Sequence, residues 1–167
     1  MTITTLFFAQ ICFIATVAIL LYASVVDIKR REISNLTVVG VIVVWLAYVA
    51  CNVITRNAQL TDYIGRVIQA LLVFAFLLVS TCVLEKTRRK ELVGGGDLKL
   101  IGALCLHLSL VDFLIMLIIA CVTSIIVSIA VGLTAKKGDR DFIKSFTMPW
   151  APSLSIGYVL VNFGLFL

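Results

Sequence analysis

Leu92-Val93-Gly94-Gly95-Gly96-Asp97-Leu98-Lys99-Leu100 decides how this chain is to be read. Three glycines set an aspartate directly before an apolar run. A carboxylate where a membrane helix begins is costly, and ionisable groups at membrane depth usually face a protein interior or water and mark function. Glycines remove side-chain bulk, so another stretch of backbone can come close. A second aspartate, Asp27, lies at the end of another apolar run. The chain reads as a frame that brings these two carboxylates together.

Of the 167 residues, 62% are hydrophobic and only 14% charged, and the mean hydropathy is +1.15. Such values exclude an ordinary soluble domain. The length suits a single domain of several membrane helices over residues 1–167 and is too short for a further soluble domain of normal size. The net charge of +5 would raise nucleic acid as a partner in a soluble protein. Here the cations sit in short loops between apolar runs, without interleaved aromatics, and nucleic acid is excluded as a partner.

A spanning helix needs about 20 mainly apolar residues. Six runs are evident: Leu6 to Val26, Leu36 to Ile54, Val67 to Leu84, Leu98 to about Val111, Phe113 to Leu133, and Pro152 to Leu167. The expected fold is therefore all-α, a polytopic integral membrane protein with about six transmembrane helices. Loops one, three and five carry Lys29, Arg30 and Arg31; Lys86, Arg88, Arg89, Lys90 and Lys99; and Lys136, Lys137, Arg140 and Lys144. Loops two and four carry only Arg56 and Arg66. Positively charged loops stay in the cytoplasm. Both termini are thus expected outside it, with Asp27 and Asp97 at the cytoplasmic face.

The fourth run is short, about 21 Å as a helix, against a hydrocarbon core of about 30 Å. Its helix either is short or starts earlier, near Leu92. Between runs five and six, Phe142, Ile143 and Phe146 follow helical spacing and predict a short interfacial helix. Cys12, Cys51, Cys82, Cys105 and Cys121 form no C-x-x-C pair and read as small buried hydrophobes. No basic residue precedes the first run, which is longer than a signal-peptide core, so a retained first helix is expected.

Two aspartates at one membrane face can share a proton and activate a water between them, because close like charges raise one pKa. Such a pair titrates as a unit. This chemistry needs no metal, no nucleophilic Ser or Cys, and no cofactor. The plain alternative is that Asp27 merely closes the first helix, held at the surface by Lys29, Arg30 and Arg31. His107, beside Asp112, reads as structural or interfacial, and Trp45 and Trp150 as packing or interface residues.

Three ordered blocks resemble the type IV prepilin peptidases, membrane aspartic proteases of the G-x-G-D class. They are Asp27-Ile28-Lys29 with Ile33 and Asn35, then Gly94-Gly95-Gly96-Asp97-Leu98-Lys99, then Pro149-Trp150-Ala151-Pro152-Ser153-Leu154-Ser155-Ile156-Gly157. The resemblance implies that Asp27 and Asp97 are a catalytic dyad. Gly94 and Gly96 would give the backbone freedom to place Asp97, while Lys29 and Lys99 would tune the dyad's charge, with Asn35 in support. It implies a prepilin substrate with a short basic leader and an apolar helix, cut at the cytoplasmic face of the cell inner membrane, with the lipid bilayer as the other partner. The larger members resemble this chain plus an N-terminal cytoplasmic domain with paired C-x-x-C motifs, tied to N-methylation. The expectation here is the short form, similar to peptidases of tight-adherence (Flp-type) pilus systems and to archaeal preflagellin peptidases.

Two other readings compete. The presenilin and signal peptide peptidase group shares G-x-G-D, but places its first aspartate in a Tyr-Asp pair, whereas Val26 precedes Asp27 here. A non-enzymatic small transporter or pilus or secretion assembly subunit would use the acids to relay protons. Transporters usually show repeat symmetry or midplane charges, and this sequence has neither.

Overall fold

The computed structural model describes residues 3–55, 58–88, 94–134 and 150–166. They form six α-helices: α1 Ile3–Arg30, α2 Asn35–Ile54, α3 Leu60–Arg88, α4 Gly95–His107, α5 Leu110–Thr134 and α6 Ala151–Phe166. No strand occurs among the described residues. Each helix corresponds to one apolar run. Four of them (α1, α2, α3 and α5) are long and apolar enough to cross a membrane, with mean hydropathies of 2.3 to 2.9. At 13 and 16 residues, α4 and α6 are shorter. The structure selects the short form of the fourth run, starting at Gly95. Residues 142, 143 and 146, where an interfacial helix was expected, lie outside the described residues, as does Pro149.

Side by side, the helices run in the order α5, α6, α1, α2, α4, α3, while α2 barely touches α3 and α4 barely touches α5. The core is built where α4 meets its neighbours. Leu100, Leu104 and Cys105 of α4 are fully buried, as are Leu20 of α1, Val41 of α2, Met116 of α5 and Leu154 of α6. Only 6% of the α3 span and 11% of the α5 span is buried. Their outward faces expose Leu72, Phe76, Ile118 and Ile125. In a soluble monomer so much contiguous apolar surface would be a liability; in a bilayer it is the normal exterior.

Several helix ends differ from the sequence reading, each for a local reason. α1 continues through Asp27 to Arg30, with Arg31 N–H donating to the Asp27 carbonyl at 2.8 Å. Arg31 then takes a left-handed φ of 55°, the backbone state that commonly ends helices. Ser34 caps α2, its hydroxyl accepting from Leu36 N–H. α3 starts at Leu60, inside the segment read as loop, because the Asp62 carboxylate reaches back to accept from Gln59 N–H at 3.1 Å. The break between α4 and α5 falls at Ser109 rather than Asp112. There the Ser109 hydroxyl donates to Asp112 at 2.6 Å and accepts from Asp112 N–H at 3.3 Å. Each supplies one arm of the N-terminal capping box, Asp62 accepting from the cap residue's N–H and Ser109 accepting from the N–H three residues on.

At the far end from the glycines, His107 is structural. Its Nε2 lies 3.2 Å from the Val41 carbonyl and its Nδ1 3.4 Å from the Tyr158 hydroxyl. Arg66 donates to the His107 carbonyl at 3.1 Å, satisfying an acceptor at the C-terminal end of α4. Trp45 packs edge-on against Tyr63 in a smaller second cluster. Cys12 and Cys105 are buried, whereas Cys82 and Cys121 face the apolar exterior.

α5 and α6 approach so closely that a Cβ on Gly157 would lie 2.6 Å from the Met116 carbonyl oxygen. By contrast, nothing lies within 4 Å of a Cβ on Gly65. Gly157→Ala is expected to lose about 1–3 kcal/mol through overpacking, read as a lower thermal midpoint in detergent. Gly65→Ala is expected to hold or raise it through helix propensity. Equal midpoints for the two variants would refute this packing.

Candidate active site

The α1–α2 turn and the N-terminus of α4 meet at one end of the bundle. Asp27 stands on the last turn of α1, 5% exposed. Its Oδ2 accepts the N–H of Ala151, the first residue of α6, at 3.0 Å. The start of a helix carries unpaired N–H groups and partial positive charge, so a carboxylate there is held by hydrogen bonding and by the dipole together. This contact spans 124 positions of sequence. No sequence pattern announces it beyond the Pro149 to Gly157 block that opens α6.

Asp97 stands in the first turn of α4 and outside the four long spans. Its Oδ1 is buried without a hydrogen-bond partner among the described residues. Its carboxyl is pushed up to about 6, first by burial and then by the negative charge of Asp27. A desolvated carboxylate is destabilised, and a second negative charge nearby adds to the penalty. Asp97 therefore favours its protonated form near neutrality far more than an ordinary aspartate does.

The glycines before Asp97 have different reasons to be there. A Cβ on Gly96 would lie 3.0 Å from the Ile33 Cβ and 3.1 Å from the Ile33 carbonyl oxygen. The α1–α2 turn thus rests directly on the α4 backbone. A Cβ on Gly94 would meet Asp97 Oδ2 at 3.2 Å, whereas one on Gly95 would meet nothing within 4 Å. Space for a side chain is lacking at the two positions singled out in the sequence and present at the one between them. None of the described glycines has a positive φ, so close approach, not backbone freedom, is what Gly96 provides.

Asp27 and Asp97 line one cavity of about 320 Å³, together with Arg31, Glu32, Ile33, Asn35, Gly94, Gly95, Gly96 and Lys99. Lys99 Nζ donates to Asn35 Oδ1 at 3.0 Å, a bridge from α4 to the start of α2. Lys29 is exposed and does not line the cavity. Sequence reasoning missed Ala151 N–H, and it did not single out Arg31 or Glu32, which their place in the turn between the two aspartate-bearing elements could have flagged. Among the described residues, no group of three or more His, Cys, Asp or Glu side chains could hold a metal ion. A buried carboxylate facing a desolvated, readily protonated partner across a small polar cavity is an arrangement suited to moving a proton to and from a water between them.

Searches of curated proteins and of solved structures return no match. The profile of the type IV leader peptidase family matches residues 14–129. That stretch includes both aspartates and all three glycines and stops short of α6. It covers well over half of the chain, and with it the protein belongs to the type IV leader peptidase family.

Proposed function

We propose that this protein is an aspartic endopeptidase that removes the short basic leader from type IV prepilins or prepilin-like proteins, with Asp27 and Asp97 as its catalytic dyad. The observation that carries the reading is that these two carboxylates, 70 positions apart in the sequence, line one cavity, and one of them is desolvated by burial beside the other. Membership of a leader peptidase family supports a protease of this class. The basic loops support a cytoplasmic active site, both termini on the other side, and residence in the cell inner membrane.

In the proposed mechanism Asp27 is the base and Asp97 the acid. Asp27 is placed as an acceptor by the first N–H of α6, and burial favours the neutral form of Asp97. A water between them gives a proton to Asp27 as its oxygen attacks the scissile carbonyl carbon. Asp97 gives its proton to the carbonyl oxygen. As the tetrahedral diol collapses, Asp27 passes its proton to the leaving nitrogen, the C–N bond breaks, and a diol hydroxyl returns a proton to Asp97. The scissile bond must be locally unwound, because a helix engages its carbonyls in hydrogen bonds. Asn35, by holding the Lys99 ammonium, keeps that charge at the mouth of the cavity.

Co-expression with a type IV prepilin, followed by gel shift and mass spectrometry, tests the reading. Asp27→Asn and Asp97→Asn are each expected to lower cleavage by about 10³-fold or more with membrane insertion intact. Cleavage surviving in both would remove the aspartic mechanism. The acid role of Asp97 sets the pH dependence. Its pKa is raised, so the required proton is present below about pH 6 and is lost above it. The rate should fall as pH rises through that value, approaching tenfold per unit. In Asp27→Asn the charge that helps raise Asp97 is gone, so the infrared band of the protonated Asp97 carboxyl should titrate at lower pH; an unmoved band would separate the two groups. For the glycines, Gly95→Ala should leave cleavage within about twofold. Gly96→Ala, which displaces Ile33 and the turn behind Asp27, should lower it about tenfold or more. Equal rates would show that the turn does not need Gly96.

A further inference from the structure

A second cavity adjoins the first at Lys99. α2 and α3 barely touch, and between them lies a groove of about 360 Å³ floored by α4. Val38 and Ile42 form one wall, Val67, Leu71 and Phe74 the other, and Gly102 and Ala103 the floor. Its lining is apolar except at one point, Lys99, which also lines the cavity of the two aspartates. The floor owes its depth to small residues, for a Cβ on Gly102 would already meet the Phe74 ring at 3.1 Å.

We infer that this groove seats the apolar segment of the substrate as it leaves the dyad for the membrane. The inference rests on the leader-peptidase reading above and adds the path the substrate takes. Three features commit the groove to that occupant. It adjoins the dyad cavity at Lys99, which lines both, so one extended chain passing that residue would reach from one to the other. The lining changes from polar to apolar at that residue, matching a substrate in which a basic leader gives way to an apolar helix. The groove follows α4 from Lys99 to Leu106, about 10 Å of helix axis, which is room for roughly two turns of a substrate helix. A recess between α1 and α6, lined by Leu21, Pro152 and Leu160 among others, shares no lining residue with the dyad cavity.

The test uses the full-length Asp97→Asn protein in membranes, co-expressed with a type IV prepilin that the wild-type protein cuts. The photocrosslinker benzoylphenylalanine is placed at Val67 or Leu71 in the groove. For comparison it is placed at Leu21 in the α1–α6 recess, and at Phe76 or Ile118 on the lipid-facing exterior. Prepilin adducts are expected at Val67 and Leu71 at several times the level of the other positions, mapping to the first two turns of the apolar segment. Adducts led by Leu21, equal adducts at all positions, or adducts to lipid alone at Val67 and Leu71 would overturn the inference. Kinetics give a second readout. Leu71→Trp should raise KM for the prepilin about tenfold, while Phe76→Trp should not; an unchanged KM in Leu71→Trp overturns the groove as well. If instead an Asp27→Asn, Asp97→Asn double variant still cuts the prepilin, the peptidase reading fails and the inference falls with it, a result separable from misplaced crosslinks on an active dyad.

Discussion

The N–H of Ala151 donating to the carboxylate of Asp27 ties together the two ends of the chain. Asp27 lies deep enough to be almost fully covered, and an uncompensated charge at that depth would cost several kcal/mol. The helix that compensates it begins more than a hundred residues later. α6 therefore has two tasks: packing against α5 and α1, and presenting its first N–H to one oxygen. Everything that fixes α6 lengthwise also fixes Asp27. Asp97 lines the same cavity, and its Oδ1 is buried without a hydrogen-bond partner among the described residues. The two acids differ in their surroundings: Asp27 accepts the first N–H of α6, whereas Asp97 is set apart first by burial and then by the charge of Asp27.

Much of the fold is legible in the sequence because apolar runs long enough to span a bilayer leave little choice. All six helices sit on the six runs, and the short fourth run gives a short α4 buried among its neighbours. The helix ends are less legible. Asp62 and Ser109 are ordinary polar residues by composition, and only their reach back over one turn turns them into starts of helices. The site is legible in part. The motif Gly94-Gly95-Gly96-Asp97 lines the cavity that also holds Asp27, and the turn following Asp27 adds Arg31, Glu32 and Ile33 to its wall. What the sequence does not carry is the reason for the glycines. Gly96 is small because of Ile33, which belongs to another turn, and Gly95 has open space around it. Lys29 shows the same limit from the other side. Its spacing from Asp27 equals that of Lys99 from Asp97, yet Lys29 is exposed and outside the cavity that Lys99 lines, so spacing alone does not decide which lysine reaches the site.

Buried polar contacts between helices hold α6 in register. The Ser24 and Ser155 hydroxyls lie 2.8 Å apart, and Ser155 also reaches the Leu20 and Ala151 carbonyls. Ser124 donates to Ser153 at 2.9 Å. Each such bond within a membrane contributes only about 0.6 kcal/mol. Their value is directional. An apolar helix against apolar neighbours in lipid has no strong reason to stop at one depth, and the serines supply it within two turns of Ala151. The Gly157 contact with Met116 removes the remaining slack, since bringing two backbones this close leaves few positions that fit.

The two aspartates consequently belong to differently built parts of one bundle. Asp27 stands in the set α1, α5 and α6, locked by serines, a glycine contact and a helix N-terminus. Asp97 stands on α4, whose other neighbours are α2 and the lipid-facing α3, with a groove where α2 and α3 fail to close. The α1–α2 turn joins the sets. Its left-handed residue, Arg31, costs about 1–3 kcal/mol in backbone strain and swings Ile33 onto Gly96. In the proposed mechanism the rigid half would hold the base at fixed geometry, while the half with an open seam would leave room for a substrate beside the acid. The two aspartates lie where these halves meet, and the proposed reaction would draw on both: one carboxylate that does not move, and one with space beside it for the bond to be cut.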